Sequence, residues 1–363
     1  MDDRVSYVAL KEFVTQIFVK MEVPHGDAQV TADVLVAANL RGIDSHGVAR
    51  TRRYVQGLRD GVMLARPDIQ VLHQTPVTAL LDGGAGLGQV VGVKATKLAI
   101  EKASKAGLGF VAVRNSNHYG IAGYYAMMAL KEDLIGVSMT NAATLVVPTF
   151  GKDAVLGTNP MSIAVPTGEE RPFVLDMATS VVTRGKLEEY QRFEKPLLQA
   201  WATDSSGLPT DDAGEVLRNL QDRLGGGILP LGGVGEELGG HKGYGLALLV
   251  DILCGVLPGA GCASYVYPRD ATGKPLPANI GHFFGALRVD AFRPLDDFKA
   301  AMDDIIQILR SSAKAEGQER IFIHGEKEFE MAEERMREGI PLHPKVATDL
   351  RELGEELGIA YEL

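Results

Sequence analysis

The 363-residue chain is 45% hydrophobic and 23% charged, a balance that supports a large buried core and a length beyond one ordinary domain. Its 37 Lys and Arg against 47 Asp and Glu leave a formal net charge of −10, which argues against a nucleic-acid partner because phosphate binding needs a basic face. The two cysteines, Cys254 and Cys262, exclude a disulfide framework and a CxxC zinc site and point to a reducing, cytoplasmic setting.

The amino terminus, MDDRVSYVALKEF, is charged and amphipathic, without the apolar run of a signal peptide. Phe13, Ile17 and Met21 share a helical stripe that Pro24 ends, and Asp27 is expected to cap a second helix carrying Val30, Val34, Leu35 and Ala38. Polar residues 41–53 follow. Strands are predicted over 77–83, 110–116, 134–140, 160–167, 173–179 and 283–292, with helices over 90–105 and 121–131 between them. The stretch 243–257 reads as a buried helix; broken by Asp251, it is too short to span a bilayer. The segments 201–235 and 258–281, rich in Gly, Pro, Asp and Ser, read as loops, the second as a surface insertion. Helices are predicted again over 295–311, 326–337 and 344–357, the last with Pro344 in its first turn, and a short strand over 320–325. Helix-rich ends thus flank a mixed α/β middle, and the ends are expected to pack together as one lobe.

Polar groups cluster at the predicted element ends. In Asp44-Ser45-His46-Gly47, followed by Arg50 and Tyr54, the last three side chains lie four apart and would share one helical face. An arginine fork binds a carboxylate bidentately and a histidine can donate to a carbonyl oxygen, so this stripe suits a small 2-oxo acid. A polar helix face with Arg50 in a salt bridge is the bland alternative. His118, within Asn115-Ser116-Asn117-His118-Tyr119-Gly120, sits where a strand enters a helix and is a candidate general acid or base. Small and hydroxyl residues at Thr158-Asn159 and at Asp176-Met177-Ala178-Thr179-Ser180 leave room for ribose and phosphates, although a tight turn and a helix cap account for them equally well. Gly239 to Gly245 opens a helix whose N–H groups, with Lys242, would attract phosphate.

The tempting loop Asp82-Gly83-Gly84-Ala85-Gly86-Leu87-Gly88 lacks GxGxxG spacing and reads as a tight turn, so the sequence carries no Rossmann fingerprint. A histidine-metal hydrolase built on His46, His118, His241 and His282 finds no HExxH support. A non-catalytic binding protein would not explain two histidines and an arginine in small-residue turns.

RGIDSHGVARTRRY, NSNHYGIAGYYA, GTNPMSIAVPT, VLDMATSVVTRGKLEEY, WATDSSGLPT and GHKGYGLALLVDILCGVLPGAG occur in this order across most of the chain. Together they resemble the signatures of the type-2 malate/L-lactate dehydrogenase family, which includes sulfolactate, ureidoglycolate and 2,3-diketogulonate oxidoreductases. The resemblance implies a non-Rossmann α/β fold. By that resemblance an NAD(P)-binding lobe over 126–295 would be built on a largely antiparallel sheet, and 1–125 with 296–363 would form a helix-rich substrate and dimer lobe. It implies a homodimer that interconverts a small 2-hydroxy acid and its 2-oxo acid with NAD or NADP. A cyclic imino acid such as piperideine-2-carboxylate is the alternative substrate. By the same resemblance His46 and His118 are catalytic, and Ser45, Arg50 and Tyr54 bind substrate. The cofactor would meet Thr158, Asn159, Asp176, Met177, Ala178, Thr179, Ser180, His241, Lys242, Gly243, His324, Gly325 and Glu326; no metal is implied. His324-Gly325-Glu326 departs from the usual PGE-like turn, and 260–279 falls where such proteins vary in length.

Overall fold

The computed structural model describes residues 3–363. The elements run β1 (Asp3–Val5), α1 (Tyr7–Lys20), α2 (His25–Leu40), α3 (Thr51–Arg59), β2 (Gln70–Gln74), β3 (Thr78–Asp82), α4 (Gly88–Ala106), β4 (Leu108–Ser116), α5 (Ala122–Met128), β5 (Leu134–Thr140), β6 (Met161–Val165) and β7 (Phe173–Met177). They continue through α6 (Arg184–Arg192), β8 (Ala202–Thr203), α7 (Ala213–Asp222), β9 (Gly227–Ile228), α8 (Gly240–Asp251), β10 (Ile280–Arg288), α9 (Leu295–Ser311), α10 (Glu326–Glu338), β11 (Ile340–Leu342) and α11 (Pro344–Leu357).

Seven strands form one sheet in the order β2-β3-β4-β10-β5-β6-β7. Only β3 and β4 run parallel; every other neighbouring pair is antiparallel, so the largely antiparallel expectation holds. Late β10 is inserted between β4 and β5, and its buried Phe284 and Ala286 join Val111, Val113, Ala95 and Ala99 in the core under α4. A second core lies at the chain ends. Leu10, Phe13, Ile17, Phe18, Leu35, Val55, Leu350 and Leu353 pack together, and β1 pairs antiparallel with β11 to close it. The sheet draws β2–β4 from one expected lobe and β5–β7 with β10 from the other. Among the described residues no helix is long and apolar enough to cross a membrane.

Several local expectations are corrected. Pro24, with φ −52° and ψ 139°, sets up α2, and Asp27 sits inside its first turn rather than at its cap. No continuous helix carries His46, Arg50 and Tyr54. Two single 3₁₀ turns, Asp44–His46 and Val48–Arg50, precede α3, broken by Gly47 at φ −86°, ψ −149°. The cause is the buried Asn39, whose Oδ1 accepts the Val48 N–H at 2.8 Å and leaves no room for a side chain at position 47. Residues 320–325 form no strand; a single bond from Val174 N to His324 O ties them to the sheet edge. The expected loop 201–235 contains α7, capped by Asp212 accepting from Glu215 N at 2.9 Å. The expected buried helix is α8 followed by a π-helical turn, Ile252–Val256, and Leu248, Leu249, Ile252, Val256 and Leu257 are exposed.

Candidate active site

The glycine-rich loop after β3 backs a histidine rather than a phosphate. Ala85 N donates to Asn115 O, and Asn117 Nδ2 donates to Ala85 O and Gly86 O at 3.0 and 2.9 Å. A Cβ at Gly88 would stand 2.1 Å from Asn117 O, so only glycine lets α4 begin this close to the turn that carries His118. From the other side, buried Arg335 of α10 donates to Asp44 Oδ1 and Oδ2 at 2.7 and 3.0 Å, and Asn39 Nδ2 donates to Asp44 Oδ1 at 2.6 Å. That network fixes the 3₁₀ turn that presents His46.

His46 and His118 meet face to face, with ring centroids 5.6 Å apart and an interplanar angle of 26°. Each has its Nδ1 occupied: His46 Nδ1 lies 2.9 Å from Ser45 Oγ, and His118 Nδ1 lies 2.6 Å from Tyr54 Oη. Gly120 N also lies 3.4 Å from His118 Nδ1, and the Tyr54 hydroxyl can either give or take the proton there, so Nδ1–H bonded to Tyr54 Oη is the tautomer that leaves Nε2 free to accept a proton. Both rings open on a cavity of about 390 Å³ whose wall also includes Ser45, Arg50, Arg53, Thr140, Asn141, Thr158, Arg184 and Tyr267. This volume lies within the range of roughly 300–1,000 Å³ usual for small-molecule sites. Through Ala143, Leu145, Arg184 and Tyr267 the cavity continues into a groove of about 900 Å³.

Burial, then the charges of Arg50 and Arg53, push the His46 imidazole down to about 4. Burial, followed by Arg53, His46 and Arg50, holds His118 well below the usual imidazole range. Both rings are therefore neutral at pH 7 and ready to accept a proton. Tyr54 is fully buried behind His118, where burial pushes its phenol up to about 12, so it supports the imidazole and does not line the cavity.

A second cavity, of about 250 Å³, brings Asp176 together with His324, Gly325, Arg41, Lys327 and Glu328. Asp176 Oδ2 accepts the Gly123 N–H at 2.7 Å, and burial raises this carboxyl to about 6. A carboxylate held this way can accept from a ribose hydroxyl or a carboxamide. Because its folded value exceeds the ordinary 3.8, protonation contributes stability that is complete below about 3.8 and is lost as pH rises through about 6. Asp176→Asn keeps an acceptor for Gly123. At pH 8 it is expected to stabilise the fold by about 1–2 kcal/mol. Melting curves should show the gain shrinking below pH 6; an equal gain at pH 5 and pH 8 contradicts the charge argument.

The remaining expected cofactor residues divide by placement. Thr158 lines the histidine cavity. Asn159 is fully buried, with Oδ1 accepting from Ala142 N and Nδ2 donating to Ala247 O, and Thr179 Oγ1 donates to Thr158 O and Asn159 O. Ser180 Oγ donates to Val182 O, and buried Glu326 accepts from Ile323 N and pairs with Arg310 and Arg320. Met177 and Ala178 are half-buried at the end of β7. Leu231 N donates to Thr179 O and Gly243 packs on Leu231, which brings the start of α8 toward β7. His241 and Lys242 are exposed there and line neither cavity. The four histidines of a metal site are not gathered. His282 stacks on Tyr119 and has both ring nitrogens within 2.8 Å of Thr140 Oγ1 and Ser116 Oγ.

Sequence reasoning missed Arg53, Arg184 and Tyr267 in the cavity wall. Arg53 follows Arg50 by three, a spacing that could have flagged it. Tyr267 comes from the segment set aside as a surface insertion, and no local signal marks it.

The family model for malate/L-lactate dehydrogenase matches residues 5–351. A malate dehydrogenase of Pyrococcus abyssi is 49% identical over 357 residues, covering 98% of this chain and 95% of the relative. An L-sulfolactate dehydrogenase of Methanocaldococcus jannaschii is 38% identical over 353 residues, covering 97% and 96%. The crystal structure of a malate dehydrogenase from Entamoeba histolytica superposes with a TM-score of 0.95 at 37% identity, over 100% of both chains.

Proposed function

The chain belongs to the malate/L-lactate dehydrogenase family and is an oxidoreductase acting on a 2-hydroxy acid, and from that premise we propose that the paired-histidine cavity is where NAD or NADP meets that acid. The observation that carries the reading is the stacked His46–His118 pair, held neutral beside a guanidinium that no carboxylate among the described residues neutralises. The residues fit a nicotinamide nucleotide. A cavity next to the histidines is walled by small Thr140, Ala142, Ala143 and Thr158, and a carboxylate at the end of β7 has an oxygen to spare. When bound, the nicotinamide supplies the hydride acceptor for C2 of the hydroxy acid.

The protein's own groups do the rest. Arg50, whose Nε donates to Ser45 O at 2.6 Å, offers its remaining N–H groups to the substrate carboxylate and so fixes C2 and its hydroxyl. His118 takes the hydroxyl proton on the way to the 2-oxo acid and returns it to the carbonyl oxygen in reduction. Tyr54 orients that ring and stabilises its charged form. His46, stacked on His118, is the second group able to carry the proton. Asp176, Met177, Ala178, His241, Lys242, Gly243, His324 and Gly325 are the proposed nucleotide contacts. Exposed Leu248, Leu249, Ile252, Val256 and Leu257 support a homodimer.

Melting temperature with NAD, NADH, NADP and NADPH tests the cofactor assignment, since a ligand at a hundredfold its Kd adds about 2.7 kcal/mol of stability. A rise with at least one nucleotide is expected. No rise with any at millimolar concentration contradicts the assignment.

A further inference from the structure

We propose that Arg53, held by Tyr267, reads a second acid group on the substrate, so that the site prefers dianionic 2-hydroxy and 2-oxo acids to monoanionic ones. The inference rests on the reading of the histidine cavity as the substrate site.

The charged groups in the cavity wall are Arg50, Arg53, Arg184 and Glu188, beside two neutral histidines. Arg184 Nε pairs with Glu188 Oε1 at 2.9 Å, so these two charges cancel. Arg50 donates only to a backbone carbonyl, and Arg53 donates from NH2 to the Tyr267 hydroxyl at 2.9 Å. Among the described residues neither has a carboxylate within ion-pair distance. The wall therefore carries two uncompensated guanidiniums on one small cavity. Arg50 is half-buried and Arg53 exposed, so both guanidiniums stay open to an incoming acid. A monoanionic acid compensates one of the two; a dianion compensates both.

Placement agrees with this count. Arg50 and Arg53 are three residues apart where a 3₁₀ turn runs into α3, so they stand side by side. Arg50 reaches back to Ser45 beside His46, which suits the carboxylate next to the reacting carbon. Arg53 is held instead by Tyr267, on the segment 260–279. That segment is anchored by Val266, Ala278 and Ile280 and by Asn279 Oδ1, which accepts from Asn115 N at 3.0 Å. A tyrosine so fixed gives Arg53 one orientation in the cavity wall. The second acid group is a carboxylate or a sulfonate on the carbon beyond C2, since either presents oxygens to a guanidinium fork.

Steady-state reduction of oxaloacetate and pyruvate by wild type, Arg53→Gln, Arg53→Lys and Tyr267→Phe tests the proposal. Losing a charge-assisted pair should cut kcat/KM for oxaloacetate roughly 10- to 100-fold in Arg53→Gln, mostly through KM, while pyruvate loses much less. Arg53→Lys should recover part of the preference, and Tyr267→Phe should lower it in the same direction by a smaller factor. The ratio of the two substrates within one preparation is independent of the fraction correctly folded. Equal losses for both substrates in Arg53→Gln would overturn the role of Arg53. A wild type that reduces neither acid would overturn the cavity assignment, and the proposal with it.

Discussion

Replacing His118 with Ala is expected to lower kcat roughly 10²- to 10⁴-fold, the usual contribution of a positioned general acid or base. Three observations set this expectation. His118 opens on the cavity that also holds Arg50, its Nδ1 is engaged by Tyr54 at 2.6 Å, and its ring is held in the proton-accepting form at neutral pH. Cofactor affinity, read from the thermal shift with nucleotide, should change little. Tyr54→Phe removes the bond to Nδ1, together with the hydroxyl's interaction with Gln89, and should lower kcat by about 3- to 10-fold, the worth of one ordinary hydrogen bond to the ring. If His118→Ala turns over at near wild-type rate while His46→Ala does not, the proton is carried by His46. If both single variants stay near wild type, neither histidine moves the proton.

Replacing Arg50 with Ala is expected to raise KM and lower kcat together. A guanidinium that grips the carboxylate both holds the acid and aims its carbonyl, so its loss removes ground-state affinity and orientation at once. The effect on kcat/KM should be roughly 10²-fold or more, since hydrogen bonds to charged groups contribute about 1.5–3 kcal/mol and misorientation adds to that. Arg50→Lys keeps the charge but not the fork and should remain damaging. A structural salt bridge would instead show mainly as a lower melting temperature, and among the described residues Arg50 makes no ion pair; its Nε donates to Ser45 O. An analogue with an amide in place of the carboxylate gives an independent check. It should be a poor substrate for wild type and lose little more in Arg50→Ala. Equal damage to both substrates would remove Arg50 from the carboxylate.

Long periodic elements were legible in the sequence because period and caps agree. Helices over 295–311 and 344–357 were placed to the residue. The His46, Arg50, Tyr54 stripe was a right grouping drawn from a wrong geometry. The three residues do converge on His118, but through two 3₁₀ turns and a short helix, because buried Asn39 claims the Val48 N–H and stops a continuous helix at Gly47. That determinant sits in α2, where no window centred on the motif would find it. Phosphate-like turns were harder still. At 158–159 and 179–180 the same small and hydroxyl residues serve as turn and strand-end hydrogen bonds, so Asn159 and Thr179 are consumed internally, while Asp176, three positions before Thr179, opens on a cavity. Tyr267 was invisible because its partner Arg53 lies 214 residues away in sequence, and only the fold joins them.

The most direct measurement of the central claim is absorbance in the reduced-nicotinamide band after the purified protein is mixed with each cofactor and L-malate, L-lactate or, in the reverse direction, oxaloacetate, pyruvate and a cyclic imino acid. The paired-histidine cavity predicts a rise with a 2-hydroxy acid and a fall with the matching 2-oxo acid, both abolished in a variant lacking His46 and His118 together. An undiminished change in that double variant, or consumption of reduced cofactor with the cyclic imine alone, would contradict it.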